Sequence, residues 1–468
     1  MTARPGDPMS DQPNILILMT DQQRADCLGC AGHPQLRTPN MDRLAEEGVH
    51  FANACTSSPV CMPARYSFIT GQHVHNHGIW SNGGELSADY ESMFRRLQRA
   101  GYYTGHIGKS HYYPHGNMHM KDREPWMHQR GFDHVDEIGG PLATCNNTRS
   151  HMTDEWERQG LYEEYKADYR KRFEHGRHNA VWPSPLPVEQ HADSYVGRKA
   201  TEFIAGYDRG QPLCLFVGFG GPHEPWDAPG EYAEMYDPEQ TPAPIRPEGA
   251  KPADWVPEPA ADWQLSGVRD DLTEADIRAL RANYYGKISL IDHWFGRIFD
   301  ACERRGMMDD LLILFWSDHG EMLGDHGRLY KSRFYESALR VPLIVRWPGR
   351  ARQAEVCEEL AATVDIMPTL LEAAGTQAPV DADGRSLMSQ LRNPAQPLRE
   401  TVLSEVGQGD HRGVMVRGRR YKYAEWLDGT PTLLYDLQSD PIEVNNLLGH
   451  PQHREVEDGL RTQMRDKI

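Results

Sequence analysis

Four short stretches of this chain present residues that could act together. Asp21 and Gln22 close "PNILILMTDQ", Lys109 and His111 lie in "GHIGKSH", His223 sits in "GPHEPW", and Asp318 and His319 follow "DLLILFWS". Each set reads as the carboxyl end of a strand, the edge at which open α/β sheets take their ligands. Two aspartates, a histidine and an amide oxygen form an oxygen-rich set suited to a hard divalent cation such as Ca²⁺ or Mg²⁺; zinc would favour thiolate or several imidazoles. A hard cation beside lysines points to an anionic substrate. Any one of these residues alone is most simply structural, since a lone Asp at a strand end usually caps a turn and a lone His is usually a satisfied polar residue. The signal is their coincidence on independent strand ends. "SSPVCMPARYSFITG", residues 57–71, adds Cys61, which as a sequence element could be a buried thiol, a metal ligand or the precursor of a modified residue.

These residues need a scaffold. "PNILILMTD", "LCLFVGFGGPHEPW" and "DLLILFWSDHGE" read as buried, parallel strands. "TPNMDRLAEEG" reads as a helix capped by Thr38 and stopped at Gly48, and "YESMFRRLQRAG" repeats the pattern up to Gly101. A long helix opens at Thr273 with Glu274 to Asp276 in its first turn. The alternation implies an α/β fold: a large, mostly parallel sheet covered by helices on both faces. Two long irregular regions, 112–190 and 228–270, read as lids or substrate walls. "TVLSEV", "GVMVRGRRYKYAEW" and "TLLYDL" predict a small antiparallel sheet followed by a polar tail. The expected division is a catalytic domain over 1–380 and a smaller C-terminal α+β subdomain over 381–468.

The 468 residues carry 50 Lys plus Arg against 68 Asp plus Glu, a formal net charge of -18. A nucleic-acid backbone would be repelled, and no basic strip offsets that. No basic, apolar leader and no 18-residue apolar span is visible, so the expectation is a cytoplasmic protein that neither crosses nor binds a membrane. Eight scattered cysteines in so large a chain argue against a disulfide framework. Cys27 and Cys30 have CxxC spacing without a second pair, so small core residues are the simpler reading than zinc.

The ordered motifs resemble the type I, formylglycine-dependent sulfatases of the alkaline-phosphatase-like superfamily. "CMPAR" matches that family's Cys-x-Pro-x-Arg signature, in which a modifying enzyme oxidises the cysteine to formylglycine (3-oxoalanine). "TGQHVHNHGI", "GYYTGHIGKSH", "GPHEPW", "SDHGEMLGDHGRLYK", "YESALRVPLIVRWPG", "VDIMPTLLEAAG" and "LYDLQSDPIEVNNLL" resemble its later blocks in the family's order, from about Asn14 to Leu447.

The resemblance implies hydrolysis of a sulfate ester, with Asp21, Gln22, Asp318, His319 and the modified Cys61 around a divalent metal. Ca²⁺ is expected, with Mg²⁺ or Mn²⁺ as alternatives. Gln22 departs from the common Asp-Asp pair and removes a negative charge, which should weaken the site. One hydroxyl of the hydrated aldehyde would attack sulfur, with Asp318 taking its proton, while Lys109 and Lys331 hold the non-bridging oxygens. His223 would protonate the leaving oxygen, helped by Lys331, and His111 would deprotonate the second hydroxyl. Arg65 would orient the modified residue. A phosphonate monoester or phosphodiester hydrolase of the same superfamily is the alternative, though the Lys-x-His block present here is replaced in that branch. Expected partners are a formylglycine-generating enzyme and a small-molecule or carbohydrate sulfate ester, contacted by His115 and Trp126 of the first insertion. A homo-oligomer is an open expectation. His73, His75 and His77 read as a polar wall or turn in preference to a metal site.

Overall fold

A computed structural model describes residues 12–87, 89–176, 179–246, 272–408 and 411–468. Among them, eight strands form one sheet: β1 (Ile15–Asp21), β2 (Val49–Cys55), β3 (Tyr103–Gly108), β4 (His134–Glu137), β5 (Leu213–Pro222), β6 (Leu312–Ser317), β7 (Leu343–Arg346) and β8 (Glu355–Ala362). The spatial order is β8-β2-β7-β6-β1-β5-β3-β4. All neighbours are parallel except β7, which runs antiparallel to both β2 and β6.

The period-2 geometry of β1 explains its uninterrupted apolar run. Leu16 and Leu18 enter one core with Tyr195, Ile288 and Phe295, while Ile15, Ile17 and Met19 enter another with Phe68, Phe94 and Leu370. The first face is covered by helices Ala192–Gly206 and Glu274–Arg304, the second by Cys61–Thr70, Met93–Arg99 and Ile366–Ala373. Thr273 caps the long helix in a reciprocal box with Asp276. At Thr38, by contrast, the hydroxyl accepts from Gly29 N and donates to Asp42.

Several expectations need correction. Region 112–190 is not irregular: it holds helices Pro141–Cys145, His151–Arg158 and Tyr162–Gly176 and a short strand pair, Met118–His119 with Thr148–Arg149. The terminal polar tail contains helix Arg454–Arg465, which buries Leu460 and Met464. Much of the second expected lid, 247–271, lies outside the described residues. The C-terminal strands Val402–Gln408, His411–Arg417, Tyr421–Trp426 and Pro431–Asp436 form the antiparallel meander. No described helix is long and apolar enough to cross a membrane.

Candidate active site

Strands β6, β1, β5 and β3 are consecutive and parallel, so their carboxyl ends share one edge of the sheet. That edge gathers Asp318 and His319, Asp21 and Gln22, His223, and Lys109 with His111. Close approach at β3 depends on glycine. A Cβ at Gly108 would stand 2.0 Å from the Gly218 carbonyl, and the next residue, Lys109, donates its N–H to that carbonyl at 2.7 Å.

Cys61 begins the helix Cys61–Thr70 and is buried. Its sulfur lies 3.2 Å from His319 Nε2. The ring's other nitrogen, Nδ1, is 2.9 Å from the Gly320 carbonyl. A carbonyl only accepts, so Nδ1 carries the proton and Nε2 presents its lone pair. Potential ligand atoms of Asp21, Cys61, Asp318 and His319 all lie within 4.8 Å of one another. Asp21 Oδ1 is buried without a hydrogen-bond partner, an expensive state for a carboxylate oxygen unless a cation completes it. The donor set therefore fits a divalent metal.

Arg65 lies one helical turn after Cys61 and is wholly buried. Nε donates to Asp318 Oδ2 at 2.8 Å and Nη2 to Asp21 Oδ2 at 2.9 Å, while Nη1 donates to the Lys109 and Ser110 carbonyls at 2.8 and 3.1 Å. The guanidinium fork thus spaces the two carboxylates and anchors the Lys109 loop.

Gln22 is held by three side chains. Its amide NH₂ donates to Glu224 (3.1 Å) and to Glu321, and its carbonyl accepts from Lys331 Nζ. Protein groups thus already engage both ends of the amide expected to face the metal. Lys109 Nζ pairs with Asp21 Oδ2. Burial pushes the Asp21 carboxyl up, but Lys109, His223, Arg65 and Lys331 outweigh it and hold it well below the usual range. Burial opposes the charge on Lys331, yet Cys61, Glu224, Asp21 and Asp318 raise its ammonium above the ordinary value. Burial and nearby Glu224 push Glu321 up to about 7.

Gln22, His111, Tyr330 and Ser332 all have left-handed backbone, with φ between 54° and 72°. Such non-glycine conformations cost about 1–3 kcal/mol each and concentrate where function fixes geometry. The site edge is not relaxed.

The site opens into a cavity of about 550 Å³ lined by Lys109, His111, His115, His223 and Lys331 among others. His223 Nδ1 lies 2.7 Å from the Glu224 carbonyl, which makes it the protonated nitrogen. Burial and Lys109 keep the imidazoles of His111 and His115 depressed, His115 down to about 3. Trp126 is a correction: it does not line this cavity. It packs edge-on to Tyr113 with Arg130 4.1 Å from its ring centroid. His75 turns to Glu405 of the C-terminal sheet at 2.9 Å and His77 to Ser67 at 3.1 Å, while the His73 ring stacks on His75.

The sequence reading misses a buried network under the His223 loop. Asp193 Oδ1 accepts from the Gly220 and Gly221 N–H groups at 2.9 and 2.8 Å. Lys287 Nζ donates to the His223 and Pro225 carbonyls and to Asp227, at 2.8, 3.0 and 2.9 Å. A signal existed: Lys287 is a lone cation inside the apolar stretch "YYGKISLI".

Comparison with known proteins adds identity to this geometry. The sulfatase family model matches residues 13–376, and a model for the C-terminal part of N-sulphoglucosamine sulphohydrolase matches 324–468. The chain is similar to an arylsulfatase of Clostridium perfringens, 30% identical over 96% of this chain and 93% of that one. It is 32% identical to the multifunctional alkaline phosphatase superfamily protein PehA of Trinickia caryophylli, over 94% and 92% respectively. Among solved structures, the phosphonate monoester hydrolase of Agrobacterium radiobacter superposes with a TM-score of 0.83 at 27% identity, covering 97% of this chain and 95% of that one.

Proposed function

The chain belongs to the sulfatase family of sulfuric ester hydrolases, and from that premise we propose that it cleaves small-molecule or carbohydrate sulfate esters using a formylglycine made from Cys61 and a divalent cation. The observation that carries this reading is the position of Cys61: buried at a helix start, in a Cys-x-Pro-x-Arg stretch, 3.2 Å from His319 Nε2 and grouped with Asp21 and Asp318. Asp21, Asp318, His319 and the modified residue 61 would hold the cation, with Ca²⁺ the first candidate for so oxygen-rich a set. When bound, that cation would polarise a sulfate oxygen and make the hydroxyl of hydrated formylglycine more acidic.

The chain's own residues divide the remaining work. Arg65 holds Asp21 and Asp318 at a fixed separation. Lys109 and Lys331 supply positive charge to the non-bridging oxygens as charge accumulates on them. Gln22 supports Lys331 through its side-chain carbonyl. His223, its Nδ1–H held by the Glu224 carbonyl, gives a proton to the departing oxygen from Nε2 when that nitrogen is also protonated. His111, kept neutral by burial and Lys109, accepts a proton when the hydroxyl of residue 61 is deprotonated.

Phosphonate monoester hydrolysis is the second reading, favoured by the similarity to the phosphonate monoester hydrolase of Agrobacterium radiobacter. Lys109-Ser110-His111 at the end of β3 supports the sulfate reading instead. Steady-state comparison of an aryl sulfate with a phenyl phosphonate tests the choice: sulfate should have the larger kcat/KM, and a clear preference for phosphonate would reverse it.

A further inference from the structure

Beyond Lys109, Lys331 and Glu224 at its reacting end, the described cavity wall carries no lysine, arginine or carboxylate. Asn82, Asn117 and Asn146 face it with Pro141, Leu142 and Tyr169, and among the described lining residues Lys109 and Lys331 are the only Lys or Arg. We infer that this cavity selects sulfate esters with a compact, uncharged leaving group bearing a single sulfate, and that Asn82, Asn117 and Asn146 read its hydroxyls; the inference rests on the sulfatase reading above.

Size comes first. A cavity of about 550 Å³ lies in the ~300–1,000 Å³ range of small-ligand sites, enough for one sugar ring or one aryl group beside the sulfate. Charge then narrows the class. A second sulfate or a carboxylate on the leaving group would lie against exposed amide and apolar surface and meet no Lys or Arg among the described residues there, so it gains no ion pair, whereas an uncharged hydroxyl finds hydrogen-bond partners. His111 and His115 do not compensate, because burial and Lys109 keep both neutral. The chain as a whole adds to the discrimination: its formal net charge of -18 repels polyanions before they dock.

A cationic leaving group fares no better. Glu224 lines the cavity, but it is buried and already accepts from Gln22 Nε2, with His223 Nδ1 also 3.1 Å from its carboxylate. Amides suit hydroxyls because each offers both a donor pair and an acceptor. Asn82 is partly oriented for this, since its Oδ1 accepts from Met62 N at 3.0 Å and leaves the NH₂ as its donor. Apolar contact with Pro141, Leu142 and Tyr169 would take the ring face.

The test uses a matched pair on one ring, N-acetylglucosamine 6-sulfate and glucosamine 2-N,6-disulfate, with phenyl sulfate as the aryl case, on enzyme shown to carry formylglycine. The monosulfate should have at least a tenfold larger kcat/KM than the disulfate, and calorimetry on Cys61→Ala protein should give the same order of affinity without turnover. Equal or better use of the disulfate overturns the inference while leaving the sulfatase reading intact. Asn146→Arg should move the disulfate-to-monosulfate ratio at least fivefold toward the disulfate. Asn117→Lys replaces it if that variant does not fold, and an unchanged ratio in a folded variant counts against the wall as the selecting element. Turnover of a phenyl phosphonate with none of any sulfate ester overturns both readings together.

Discussion

Replacing Lys287 by Met tests whether His223, the residue proposed to protonate the leaving group, is held from below. The ammonium is buried and bridges the His223 carbonyl, the Pro225 carbonyl and the Asp227 carboxylate at 2.8–3.0 Å. Burial pushes the Asp227 carboxyl up, but Lys287, then His191 and Arg172, outweigh it and keep it well below its ordinary range. Methionine keeps the length and apolar stem while removing all three donors. Breaking a buried pair from one side costs about 3–5 kcal/mol, because the partner is left charged and unpaired. The effect on catalysis should be selective. Misplacement of a reacting group by about 1 Å can cost ~100-fold, and a general acid is worth roughly 10²–10⁴, chiefly when the leaving oxygen is basic. Lys287→Met should therefore lose about 100-fold in kcat/KM on an alkyl or sugar sulfate but under about tenfold on 4-nitrophenyl sulfate, whose leaving group needs little protonation. Urea melts give the stability term, and rates against leaving-group pKa give the catalytic one. Equal losses on both substrates would refute the positioning role and leave Lys287 a purely structural residue.

Arg65→Lys should weaken cation binding at least tenfold by calorimetry, since a point ammonium cannot bridge Asp21 and Asp318 as the guanidinium fork does; unchanged affinity would contradict that role. Glu137, buried beside Ser110 and Tyr113, is pushed up to about 7, chiefly by burial. Between an ordinary ~4.5 and about 7 the folded protein keeps a proton that the unfolded chain has lost, so stability falls as pH rises through this window. Glu137→Gln should accordingly gain about 2.5 kcal/mol more, relative to the parent, at pH 8 than at pH 5, as measured by denaturant melts; a pH-independent difference would contradict the assignment. Trp126→Ala should leave the selectivity among sulfate esters within about twofold while lowering stability by about 3–5 kcal/mol at most, the large-to-small range, and a changed substrate ranking would restore Trp126 to the binding wall.

Much of the frame is readable from one-dimensional pattern. The runs ending at Asp21, Pro222 and Ser317 are apolar on both faces because both faces are covered, and their polar ends mark the ligand edge. Region 112–190 misleads through composition: His, Arg and aromatics suggest loop, yet Tyr162, Tyr165 and Tyr169 recur at helical spacing in Tyr162–Gly176. Helix Arg454–Arg465 buries only Leu460 and Met464, too thin a stripe to register amid charge. Partner choice is the part that sequence hides. That Arg65 clasps two aspartates 44 and 253 positions away, or that Gln22 spends its amide on Lys331 and two glutamates, follows from through-space packing and not from spacing. The same holds for Trp126, whose ring is taken by Arg130 and Tyr113 before any substrate arrives.

The central claim is that residue 61 acts as formylglycine. The most direct measurement is a mass spectrum of the peptide containing Cys61, from protein made in its native host, quantified against aryl sulfate turnover across preparations. The account predicts an aldehyde at residue 61 and a rate that scales with the modified fraction, falling to background in Cys61→Ala. A thiol throughout in fully active protein would contradict it.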